Sequence, residues 1–186
     1  CIRDSSQAVD QLQEAEIAHL RALRPGPPAN VRTVVCCACT LLLCCHPALK
    51  AAAPGTAVDW DEAKTTIASP TFRTLLRACQ PRLLHGHSQT AVHVREQLAS
   101  LKTPARSRGR ELDGARSPAC SRFASHATML RAAIHSGGAS VGALFVWCTR
   151  VLAEADALRE AAELEMAQVR ETDALVSLVV SAHCLL

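Results

Sequence analysis

Tyrosine is absent from this chain of 186 residues, and the other aromatics are three phenylalanines and two tryptophans. Large planar side chains are few and β-branched alternation is nearly missing, which argues against a β-sandwich or barrel. No Gly-rich phosphate loop of the GxxxxGKS/T or GxGxxG type occurs, so neither nucleotide binding nor a cofactor is expected within the chain. No stretch reaches the roughly 18–20 apolar residues that span a bilayer. Val34–Cys45 is long enough only for a buried helix, the run Leu175–Leu186 is also too short, and no membrane partner is expected. A secretory signal is missing too, since Cys1-Ile2-Arg3-Asp4-Ser5 has neither a basic start nor an apolar core. The first residue is not methionine, so the chain is expected to be a piece of a longer one.

Ala, Leu, Arg and Glu dominate instead, which predicts an all-α protein with room for one ordinary domain and extensions. The chain is organised around Arg24 to Leu43. Pro25, Gly26, Pro27 and Pro28 cannot continue a helix, because proline lacks the amide donor and crowds the preceding turn. Before this break, Val9, Leu12, Ile17, Leu20 and Leu23 form an amphipathic pattern over residues 6–23. After it comes a helix apolar almost all round, capped by Asn30 and closed by His46-Pro47. Asp59 or Asp61 caps the next helix, which begins near Trp60. Pro70 suits a first helical turn, and Phe72, Leu75, Leu76 and Cys79 share one helical face. Val94, Leu98 and Leu101 mark a further helix over Thr90–Leu101. Residues 102–121 read as a mobile basic loop. Structure resumes over Phe123–Ile134, breaks at Gly137-Gly138, and continues as one long helix from Ala139 towards residue 180. Beyond Val151 that helix has one apolar seam at Leu158, Ala162, Val169 and Val176, and a second at Ala161, Leu164 and Leu175. Two overlapping seams permit more than one pairing register. Residues 6–23 and 152–176 are expected to pair antiparallel.

Ten cysteines are present, five of them on or just after the apolar helix: Cys36, Cys37, Cys39, Cys44 and Cys45. Helical neighbours point in different directions and cannot all pair, so thiols packed as small hydrophobes are the leading reading. A metal site on Cys36, Cys39 and His46 is the alternative, without a second matching Cys-x-x-Cys to support it. His85-x-His87 and His93 also resemble ligand spacing, in a polar segment whose only nearby acidic partner is Glu96. No catalytic constellation is legible, and no small-molecule substrate is expected.

Charge is segregated along the chain. Residues 1–24 carry −1, residues 25–150 carry 15 Lys/Arg against 6 Asp/Glu for +9, and residues 151–186 carry −5. A cationic body on neutral or acidic arms fits a polyanionic partner: nucleic acid, anionic lipid or an acidic protein surface. Ordinary surface asymmetry would look the same.

Three motifs occur in order between the two arms. They are Pro27-Pro28-x-x-Val31-x-x-Val34; Trp60-x-x-Ala63-Lys64-x-x-Ile67 leading to Phe72-x-x-Leu75-Leu76; and Ala139-x-x-x-Ala143-Leu144-x-x-Trp147. Together they resemble the stalk tip of dynein heavy chains, axonemal more than cytoplasmic, over about residues 8–165. The chain departs from the family at Glu154, where tyrosine is usual, and at Val146, where a basic residue is common.

The resemblance implies a small helical bundle at the tip of a two-helix antiparallel coiled-coil stalk. Residues 1–24 would be the first stalk helix, 25–150 the microtubule-binding domain, and 151–186 the returning helix. The partners implied are the microtubule and the rest of the heavy chain, whose ATPase lies elsewhere, in the cytoplasm and its cytoskeleton, within a ciliary or flagellar axoneme. Arg32, Lys64, Arg73 and Arg150 are the expected filament contacts, with a solvated surface charge as the alternative for each. Pro25, Pro27 and Pro28 would be the hinge, while Val31, Val34, Trp60, Phe72, Leu75, Leu144 and Trp147 would be core. The rival classes are a basic helical nucleic-acid-binding module and a helical scaffold.

Overall fold

The computed structural model describes residues 9–10, 12, 14–22, 26–46, 49, 57–101 and 126–183, with side chains for all of these except 126, 136 and 178–183. Its regular elements are α1 (Glu14–Arg21), α2 (Ala29–Cys45), α3 (Trp60–Ala68), α4 (Phe72–Arg77), a 3-10 segment (Pro81–His87), α5 (Ser88–Ala99) and α6 (His126–His183). Among the described residues there is no strand, and the chain is all-α. Pro25, residues 51–56 and the basic stretch 102–121 lie outside the described residues.

The central element is α2, which packs against α3, α5, α6 and the 3-10 segment. Its near-continuous apolar sequence explains the position: Val31, Val34, Val35, Cys37, Ala38, Cys39, Leu41, Leu42, Cys44 and Cys45 are all buried. Pro28 rather than Asn30 stands at its N-cap, without a side-chain cap bond, and Asn30 lies inside the first turn. Pro28 has no amide donor to satisfy and its restricted φ suits a helix start. The C-terminus closes at His46, as the His46-Pro47 pair implies.

In α3 the cap is Asp59, whose carboxylate accepts from the Glu62 amide at 2.8 Å. Thr40 Oγ1 then ties the linker before it to α2, accepting from the Val58 amide at 3.0 Å and donating to the Cys36 carbonyl at 2.8 Å. Ser69 and Pro70 end α3, and α4 begins after Thr71, so Pro70 sits just outside the helical turn expected for it. The segment Pro81–His87, which shows no apolar period, forms the 3-10 helix; Pro81 and Leu84 are buried.

Gly138 breaks α6 with φ 74 and ψ −168, a conformation open essentially to glycine alone. Beside it, a Cβ on Gly137 would meet Val31 Cγ2 at 2.9 Å as well as Val141. The break therefore seats the start of α2 against α6. From there α2 and α6 run in the same direction: Val31 lies by Gly137, Cys37 and Cys39 by Cys148, the end of α2 meets the chain just before the 3-10 segment, and Ala155–Arg159 of α6 meet that segment and the start of α5.

Candidate functional site

Val9, Leu12, Ile17 and Leu20 are buried, and α1 packs on α3 and α6. Arg21 donates to the carbonyls of Ile67 (3.1 Å) and Ser69 (3.0 Å), while Asp10 pairs with Arg77. His19 Nδ1 lies 3.4 Å from Ser140 Oγ. The first apolar stripe is thus satisfied by α3 and by α6 within the body, not by residues 157–177. The reason is apolar area: Val141, Leu144, Phe145 and Trp147 offer far more of it than the Ala- and Glu-rich stretch further on. Residues 157–177 are all exposed, including Leu158, Leu164, Met166, Val169, Leu175 and Val176.

These contacts give the body two distinct ends. One holds Gly26–Pro28, Arg32, Gly137 and the His19–Ser140 contact. At the other, α2 finishes, Asp10 meets Arg77, and α6 leaves past Ala155 and Asp156. Arg95 grips both carboxylate oxygens of Asp156 at 2.7 Å, with Arg159 3.7 Å from the same group, and this fastens α5 to α6 at the exit. Neither Arg95 nor Asp156 is marked by local spacing, so sequence reading had no signal for the pair.

The four cations expected to face a filament sit on four elements and line no common cleft. Arg32 is exposed in the first turn of α2 and Lys64 is half-buried on α3; neither pairs with a carboxylate among the described residues. Arg73 is half-buried on α4: one guanidinium nitrogen lies 3.5 Å from the Asp10 carbonyl, and its Nε is buried without a partner among the described residues. Arg150 is half-buried on α6. Val31, Val34, Trp60, Phe72, Leu144 and Trp147 are buried, whereas Leu75 is partly buried at the edge of the core.

A cleft of about 210 Å³ lies beside Arg32, between α2 and α5, lined by Thr33, Cys36, Val58, His93 and Gln97 among others. It offers one cation, one imidazole and an apolar floor, with no carboxylate to act as an acid or base. His85 and His87 lie on the 3-10 segment and His93 on α5. No group of three or more metal-ligating side chains occurs among the described residues, and Cys39 instead donates to the Ala63 carbonyl at 3.8 Å.

The buried cysteines are thiols. Burial pushes Cys36 up to about 11, with Arg32 lowering and Asp59 raising it, and pushes Cys37 up to about 12. It also raises Cys44 to about 11, against a hydrogen bond with Thr90, and holds Cys39 and Cys148 well above the ordinary range. Thiols so protonated pack as small hydrophobes. No family model, curated protein or solved structure matches the chain.

Proposed function

We propose that this chain is a helical docking module for an acidic polymer, and that the polymer is the microtubule, gripped as by the stalk tip of a dynein heavy chain. One observation carries the reading: the first described residues and the outgoing α6 share one end of the body, and Arg32 sits at the opposite end. A body held from one end and cationic at the other suits a tip. Beyond the body, α6 continues through residues 157–183, a rod of about 40 Å at 1.5 Å per residue. Its exposed apolar and acidic residues would take the other strand of the stalk, since α1 already packs on the body. The ATPase and the axonemal setting belong to the parent heavy chain in this reading.

Exposed ion pairs contribute about 0–1 kcal/mol each, so filament binding would rest on many weak contacts and fast release. Co-sedimentation with microtubules tests it, using RNA and DNA as competitors. Microtubule binding that nucleic acid fails to displace is the expected result. Absence of binding to microtubules, together with tight salt-sensitive binding to nucleic acid, would replace this reading by the basic nucleic-acid module.

A further inference from the structure

Of the seven cysteines described, Cys45 and Cys79 meet across the fold with one of the two half-buried. Cys45 is the last residue of α2 and Cys79 follows the end of α4; the Gln80 amide donates to the Cys45 carbonyl at 2.8 Å, so the two backbones are adjacent. That backbone contact puts the Cys79 side chain beside Cys45, and the neighbouring thiol together with burial pushes the Cys45 thiol well above its ordinary range. Cys45 is buried, whereas Cys79 is half-buried and within reach of small solutes. The other thiols lack this combination. Cys148 and Cys39 are fully buried, Cys44 bonds with Thr90, and the half-buried Cys36 has only its helical neighbour Cys37 beside it on the chain.

We propose that Cys45 and Cys79 form a thiol pair that a small-molecule disulfide converts to a cross-link between the end of α2 and the start of the 3-10 segment. The Cys79 thiolate attacks one sulfur of glutathione disulfide, its proton passing to solvent, and one glutathione leaves as thiolate. Cys45, losing its own proton, then attacks the Cys79 sulfur of the mixed disulfide and expels the second glutathione. The balance is two protein thiols plus one glutathione disulfide giving one protein disulfide plus two glutathione thiols. Cys79 is half-buried where Cys45 is buried, so Cys79 meets the glutathione disulfide first and Cys45 closes the ring.

The cross-link would act on the end of the body from which α6 leaves. The 3-10 segment packs on both α2 and α6, so tying its start to α2 fixes the floor beneath the exit helix. Closing the loop from residue 45 to residue 79 restricts the unfolded chain, and the melting temperature should rise by roughly 5–15 °C.

The test is peptide mapping of the full chain under non-reducing conditions after a timed exposure to glutathione disulfide. The peptide holding Cys45 joined to that holding Cys79 should accumulate ahead of any other cross-link, and reduction should reverse both the link and the gain in melting temperature. With Cys45→Ala, Cys79 should stop at the glutathione adduct; with Cys79→Ala, Cys45 should stay a free thiol. A persistent glutathione adduct on Cys79 in the unsubstituted chain, or earlier linkage of any other cysteine, would overturn the proposal. The unsubstituted chain decides this alone, even if either variant fails to fold.

Discussion

The indole N–H of Trp147 is buried with no hydrogen-bond partner among the described residues, and that of Trp60 is the same. A buried donor without a partner costs about 1–3 kcal/mol, so contact area alone keeps these rings in place. Trp147→Phe removes the donor and keeps most of the apolar plane, and its effect on stability should stay within about 1.5 kcal/mol. Trp147→Ala should cost about 3–5 kcal/mol. Urea unfolding of the two variants separates these outcomes, and equal losses would show that the N–H has a partner. The thiols make a second prediction at this scale. Cys36, Cys37 and Cys44 have folded-state values raised to about 11, 12 and 11, above the ordinary value of 9.0. Below pH 9 both folded and unfolded chains keep these protons, and stability is unaffected. Above pH 9 the unfolded chain releases them first, so stability is lost as pH rises towards 11 and 12. The urea midpoint should therefore fall steadily between pH 9 and 11, and replacing these three cysteines by alanine should flatten the fall.

Elements here start and stop where short-range chemistry tells them to. Asp59 with Glu62 three residues on is a capping signature readable from sequence, and the structure realises it at 2.8 Å. Gly137-Gly138 reads as a break, and Gly138 supplies one with a backbone that other residues resist. Gly138→Ala should destabilise the chain by about 1–3 kcal/mol, measured by thermal or urea unfolding. An unchanged midpoint would mean that the turn relaxes into a continuous helix. Asn30 shows the limit of such signals, because a capping residue type two places past a proline is overruled by the proline's own fixed φ. The 3-10 segment was illegible for a related reason: a three-residue repeat over seven residues leaves too little periodic pattern to distinguish it from a loop.

At the scale of the molecule, the contrast is between a densely buried body and a bare rod. Arg32 and Lys64 are cations without carboxylate partners among the described residues, while Arg73 lies by the Asp10 carbonyl ahead of α1. In the microtubule reading, Arg32→Ala and Lys64→Ala should each weaken co-sedimentation by about two- to fivefold, in proportion to an exposed pair of up to 1 kcal/mol. Arg73→Ala should also cost stability, because its guanidinium lies by the Asp10 carbonyl and its Nε is buried. Binding should also weaken steeply as salt rises, since exposed charges are screened beyond about 8 Å at physiological ionic strength. Affinity indifferent to salt would point to an apolar interface and away from charge docking.

Sequence by itself determined the class of the fold, the central helix and most of its boundaries. Proline, glycine and capping carboxylates act within a few residues, and an all-round apolar helix such as α2 can only be buried. It could not determine what the stripe of Val9, Leu12, Ile17 and Leu20 would cover, because an amphipathic helix specifies that it needs a partner, not which one. Tertiary structure decided that by apolar area, drawing α1 onto α3 and the start of α6 and leaving residues 157–177 bare. The Arg95–Asp156 clamp and the Cys45–Cys79 pair belong to the same category. Their partners are far apart in the chain, and only the packing of α2, α5 and α6 brings them within reach.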